Sequence, residues 1–432
     1  MRKTTLFVAF LTFLSVSFSE AKDINIKSLG AKGDGKTKAT AVIQKAIDEV
    51  HKAGGGRVIV SGGSYLVTPF EIKSNVELFI DADATLLGST NLEDYPDRPD
   101  PKHYITENMP RYRNVSLIYA DEAENIAITG RGVIDGQGSY FVKPKTGDDW
   151  HGWHFERTVP RDKSMPRMIF FAGCKNVTVR DITVKDSPAA WSFMVHDCEV
   201  VHFDHCKVWS DLRYMNNDGI HLNCCRDVTI SNCDIKVGDD AIAICANSRS
   251  LRENKSTERV VVTNCVLQAW STGIRVGWTD QGIIANCSFS NIQMKDVSKG
   301  VAFQFPGPYK STNNWGREYT LVENLTFSNI RMDHVYLPIY GIIEKGPDLV
   351  HMKALRNISF TDVTATGMQF PYFKGREDCM FEEISFNNCT FEKRPIEEFA
   401  DYRRHGDVPV PEGERFVHVN NIRFNNTRFI SK

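Results

Sequence analysis

Two short segments hold the residues best suited to chemistry: Asn216-Asn217-Asp218-Gly219-Ile220-His221-Leu222 and Gly238-Asp239-Asp240-Ala241-Ile242-Ala243-Ile244. Each sets an Asp before a small residue and an apolar alternation, so Asp218-Gly219-Ile220 aligns with Asp240-Ala241-Ile242 at an offset of 22 residues. If the segments are neighbouring parallel strands, their backbones run about 4.8 Å apart and Asp218 stands beside Asp240 on one face. Asp239 follows next to them. Carboxylates packed this closely repel one another, raise at least one pKa and leave the others ionised, which suits a division of acid and base roles. Asp-Gly and Gly-Asp-Asp are also ordinary turn sequences. Turns, however, have no need to bring their acids into one column.

Carried around the coil, the same register predicts a column of Trp191, Asp218, Asp240, Thr272, Lys299 and Tyr340. His221, Ala243, Arg275 and Ala302 form the neighbouring column, with Arg275 its permanent positive charge. An aromatic ring, carboxylates, a hydroxyl and cations on one stripe describe a sugar groove. A solvated face with a salt bridge or two is the plainer reading of Lys299 and Arg275.

The elements that must position these residues repeat. Asn176-Val177-Thr178-Val179, Asp227-Val228-Thr229-Ile230, Asn324-Leu325-Thr326-Phe327 and Asn357-Ile358-Ser359-Phe360 are short alternating strands, spaced too widely for hairpins and too irregularly for a propeller. The expected architecture is all-β: a right-handed parallel β-helix. An N-terminal helix over 40–52 covers its open end. Cys206, Cys233, Cys265, Cys287 and Cys389 suggest one inward column of free thiols, four of them following Asn232, Asn264, Asn286 and Asn388, which read as a ladder at a bend. Cys174, Cys198 and Cys225 suggest a second column. Insertions are expected at 91–114, 137–168, 304–320, 365–379 and 392–416. The second carries Trp150, His151, Trp153, His154, Arg157, Arg161 and Arg167, and the third Tyr309, Trp315 and Arg317, groups suited to walling a cleft and stacking on sugars.

The chain has 432 residues, 41% of them hydrophobic, and a formal net charge of −2 with both signs dispersed, so no basic footprint for nucleic acid is present. Arg2 and Lys3, an apolar run from Leu6 to Phe18, and Ser19-Glu20-Ala21 read as a cleaved export signal over 1–21. Residues 22–432 are then expected to form a single β-helix domain, periplasmic or extracellular, monomeric and without a membrane span. The glycine runs at 30–35 and 54–56 lack the context of a phosphate cradle. His151 and His154 lack a third ligand at a usual spacing, so no metal and no cofactor is expected.

With these residues in view, the chain resembles glycoside hydrolase family 28, the polygalacturonase and rhamnogalacturonase group. The resemblance runs from Gly30-Ala31-Lys32-Gly33-Asp34-Gly35 through Gly132-Val133-Ile134-Asp135-Gly136 to the C-terminal strands. It is most specific where the family's Asn-Thr-Asp-Gly and Gly-Asp-Asp motifs meet Asn216-Asn217-Asp218-Gly219 and Gly238-Asp239-Asp240. It implies an inverting glycosidase on a right-handed parallel β-helix. Asp239 would protonate the leaving oxygen, and Asp218 and Asp240 would hold and deprotonate the attacking water. Substrate contacts are expected from Asn216, Thr272, Arg275, Lys299 and Tyr340.

Two departures bear on the substrate. Ser271-Thr272-Gly273 stands where the family has Gly-His-Gly, and Ala302-Phe303-Gln304 where polygalacturonases have Arg-Ile-Lys, the cationic pair that grips a galacturonate carboxylate. Plain homogalacturonan therefore fits less well than a galacturonate-containing rhamnogalacturonan polymer or oligosaccharide, with Arg275 or Lys299 as carboxylate partner. The size of the insertions favours cleavage from a chain end. The alternatives are a polysaccharide lyase on the same coil, with the acids holding a hard cation, and a non-catalytic carbohydrate-binding coil.

Overall fold

The computed structural model describes residues 21–96, 115–145, 155–158, 165–188, 190–248, 251, 253–277, 282–305, 319–344, 352–399 and 413–432. Trp150, His151, Trp153, His154, Arg161, Tyr309, Trp315, Arg317 and the export signal up to Glu20 lie outside these residues.

Alternation along each strand makes the coil. At Val177 and Val179, Val201 and Phe203, Val228 and Ile230, and Val260 and Val262, one side chain in two points inward and stacks on its counterpart a turn away through parallel pairing. Repeated throughout, this winds a 32-stranded sheet into a right-handed parallel β-helix with a continuous apolar interior. Phe289, Phe327, Phe360 and Phe386 stack in that interior with successive ring centroids 4.6, 5.0 and 5.1 Å apart. The helix Thr40–Lys52 lays Ile43, Ala46, Ile47 and Val50 over the N-terminal end, as expected. Among the described residues, no helix is long and apolar enough to cross a membrane.

Corners need backbone in the left-handed region, and asparagine tolerates it best after glycine. Asn232, Asn264, Asn291 and Asn329 all have positive φ there, and each amide donates to the carboxamide oxygen of the preceding one at 3.3, 3.2 and 2.8 Å. The thiol column includes Cys206, Cys233 and Cys265, continues through Ile292, Ile330 and Val363, and regains a thiol at Cys389. Cys287 and Asn286 do not belong to it. Cys287 pairs with Leu325, in the column of Val228 and Val260, and Asn286 starts a separate ladder with Asn324 and Asn357. Cys174, Cys198 and Cys225 do share a column, and all eleven cysteines are free and buried.

Two expected insertions contain complete strands. Within 365–379, the strand Tyr372–Lys374 pairs in parallel with residues 340–342 and continues the coil, with Phe373 filling the main interior and Tyr372 packing on the opposite face in a separate buried cluster. Within 137–168, Val142–Pro144 and Phe155–Arg157 form an antiparallel pair standing off the coil.

Candidate active site

Asp218 and Asp240 each close the turn that precedes a short strand, Ile220–Asn223 and Ile242–Cys245. These strands pair in parallel with Ile220 opposite Ile242, and the Gly219 amide donates to the Asp240 carbonyl at 2.8 Å. The acids therefore stand on adjacent turns. Gly219 is required here, because a Cβ would lie 2.4 Å from the Ala241 carbonyl oxygen. Gly238 is equally constrained, since its Cβ would meet the Tyr214 carbonyl oxygen at 2.0 Å. Asn217, fully buried, ties the two segments together: its Oδ1 accepts from the Gly238 amide at 2.7 Å, and its Nδ2 donates to the Asp211 carbonyl at 3.2 Å.

The column runs on as expected through Thr272 and Lys299, which pair with each other and are buried. Tyr340 does not follow. Successive coils here are offset by 38 residues, so Lys299 faces Leu337, and Tyr340 faces Ala302 in the neighbouring column. Tyr340 packs beside Tyr336, Leu337, Met368 and Tyr372, its ring stacked on that of Tyr372 at 6.2 Å.

Arg275 also departs from expectation. Its Nε donates to Asp240 Oδ2, its Nη2 donates to Asp240 Oδ1 at 2.9 Å and reaches Thr272 Oγ1 at 3.4 Å, and its Nη1 reaches Gln304 Oε1 at 3.4 Å. A carboxylate of the protein thus takes the fork assigned to a carboxylate of the substrate, since Asp240 is an adjacent anion with matching bidentate geometry. Burial pushes the Asp240 carboxyl up, but Arg275, with Thr272 and Lys299, outweighs burial and holds it below the ordinary carboxylate value. Asp218 shifts the other way. Burial raises its carboxyl well above the ordinary value, Asp239 and Asp240 add to that, and Arg275 offsets only part. Asp239, half-buried, stands at the turn beside the pair.

His221 was not among the expected site residues. Its Nδ1 lies 3.2 Å from Asp218 Oδ2, and its ring stacks on Trp191 with centroids 4.0 Å apart and planes 10° apart. The guanidinium of Arg167 lies over that indole at 4.9 Å. Residues three apart on an ideal strand face opposite ways, so nothing in the alternation announces a contact between residues 218 and 221; the bend at Gly219 makes it. Asn216 accepts from Arg157 Nη2 at 2.6 Å, so the strand pair within 137–168 touches the site. Among the described residues, no three His, Cys, Asp or Glu side chains are arranged to hold one metal ion.

Such a site can hold a water between two carboxylates of unlike basicity, with a third acid at its edge. Residues 58–253 match the model of "Glycosyl hydrolases family 28". A probable polygalacturonase of Vitis vinifera is 28% identical over 229 residues, 52% of this chain and 44% of that protein, less than half its length. A polygalacturonase of Gossypium hirsutum is 26% identical over 356 residues, 76% of this chain and 81% of its own. In fold, the chain is similar to the hyperthermoactive exopolygalacturonase of Thermotoga maritima, with a TM-score of 0.70 at 23% identity over 87% of this chain and 88% of that one. Over residues 58–253 the chain thus resembles glycoside hydrolase family 28, and it is similar in sequence and fold to polygalacturonases.

Proposed function

We propose that this chain is an exported glycosidase that cleaves galacturonate-containing pectic polysaccharide or oligosaccharide with inversion, and that its substrate is of the rhamnogalacturonan type rather than plain homogalacturonan. The carrying observation is the placement of Asp218 and Asp240 on adjacent turns with Asp239 beside them. Asp239 is the general acid at the leaving oxygen, and Asp218 and Asp240 handle the water, an arrangement that in inverting enzymes leaves the acid and base carboxyls ~6.5–9.5 Å apart. Asn216, Thr272 and Tyr340 line the substrate path, and Lys299 is the carboxylate partner, because the Arg275 fork is engaged by Asp240. Residues 22–432 are read as one catalytic domain, a monomer, released from the leader at 1–21. The substrate preference rests on Ala302 and Gln304, where polygalacturonases carry their cationic grip.

The test is initial rates on matched rhamnogalacturonan and homogalacturonan oligosaccharides, with products sized and ultraviolet absorbance followed. The expected result is new reducing ends, no unsaturated product, and a rate at least about tenfold higher on rhamnogalacturonan, the preference a missing charge contact gives. Faster cleavage of homogalacturonan overturns the substrate assignment, and an unsaturated product overturns hydrolysis.

A further inference from the structure

Arg275 has two competing roles open to it, gripping a substrate carboxylate or serving the protein's own acids, and its contacts favour the second. It is 7% exposed, and all three of its nitrogens meet protein oxygens: Asp240 through Nε and Nη2, Thr272 through Nη2 and Gln304 through Nη1. Its strand, Val266–Val276, lies immediately behind that of Asp240, with Arg275 opposite Ala243. Asp218 has a different setting. It is 3% exposed, its Oδ2 meets His221, and its Oδ1 has no hydrogen-bond partner among the described residues.

We propose that Arg275 is a positioning residue for the water-attack step, making the pair asymmetric: Asp240 is the fixed anion that takes the water's proton, and Asp218 retains the proton the crowded acids share. This rests on the glycosidase reading above. In the step, a water O–H bond breaks and its proton passes to Asp240. The water oxygen bonds the anomeric carbon as the glycosidic C–O bond breaks, and the leaving oxygen takes the proton of Asp239. Asp240 then returns its proton to solvent and Asp239 regains one. Two lone pairs of Asp240 point into the guanidinium, which orients the remaining ones. The charged and titratable groups facing Asp240 are Asp218 and Asp239, Arg275 and Lys299, with His221 reached through Asp218.

The test compares wild type, Arg275→Met and Arg275→Lys on the oligosaccharide the wild type cleaves, measuring kcat, KM and the pH profile of kcat/KM. Removing the guanidinium raises the basicity of Asp240, so protons silence it at higher pH and the acidic limb moves upward. For Arg275→Met the expected outcome is a loss in kcat of about 100-fold, a KM within about threefold, and an upward-shifted acidic limb. Arg275→Lys keeps a charge but no fork, so it folds readily and falls between, about tenfold down in kcat. An unmoved acidic limb in Arg275→Met overturns the proposal, as does a KM raised tenfold with kcat retained in either variant, which makes Arg275 a substrate grip. A wild type that releases no reducing ends overturns the glycosidase reading itself, whereas a cleaving wild type with unmoved variants overturns this inference alone.

Discussion

Asn217 offers a quantitative test of how the acids are held. The change Asn217→Ala removes the acceptor of the buried Gly238 amide at 2.7 Å and the donor to the half-buried Asp211 carbonyl at 3.2 Å. Each net hydrogen bond is worth about 1 kcal/mol, and depriving a buried N–H of its acceptor adds about 1–3 kcal/mol. Water reaches the Asp211 side more easily, so the total is roughly 2–4 kcal/mol. With unfolding entropy near 2 cal/mol/K per residue, that corresponds to a fall in Tm of about 2–5 °C for a chain of this size. Function should suffer more than stability. The segment bearing Asp218 is tied by this side chain to the turn bearing Asp239 and Asp240, and a misplacement near 1 Å costs about 100-fold in rate. Calorimetry and initial rates on the same preparation read both effects. A variant that loses the Tm but keeps kcat refutes the claim that Asn217 registers the acids, and one that loses neither refutes the hydrogen-bond reading as well.

Three further outcomes follow from the same geometry. Asp239→Asn should lower kcat at least about 1000-fold with the fold intact by circular dichroism, since an amide supplies no proton to a sugar leaving group. The Asp218 carboxyl is raised in the folded state, so between the ordinary carboxylate range and its raised value the folded protein holds more protons than the unfolded, and stability falls as pH rises. Asp218→Asn should therefore be more stable than wild type by roughly 0.5–2 kcal/mol at about pH 8 in urea unfolding, with the gain vanishing at about pH 3, while activity is lost. Lys299→Ala should raise KM about tenfold or more on uronate-containing substrate, the value of one charge-assisted contact, and leave kcat nearly unchanged.

The coil and the pair Asp218 and Asp240 were legible because both depend on strand alternation and a repeating offset, which the order of residues records directly. Thr272 and Lys299 followed from the same arithmetic. Tyr340 and Cys287 did not, because a column inferred from similar residue types drifts wherever a coil changes length, and only backbone pairing sets the count. The contact between His221 and Asp218 arises at the bend before a strand, where alternation fails. Arg275 was visible as a cation on the right stripe, but whether it meets substrate or Asp240 depends on side-chain reach between adjacent strands. Asn217 was overlooked for a related reason. It lies beside a catalytic candidate but turns into the interior, serving backbone groups 6 and 21 residues away.

The most direct measurement of the central claim is the anomeric configuration of the first-formed sugar, followed by proton NMR before mutarotation. Acids that split into a leaving-group donor and a water-activating pair predict a product inverted relative to the linkage cleaved. A product of retained configuration, trapped or free, contradicts that division of labour.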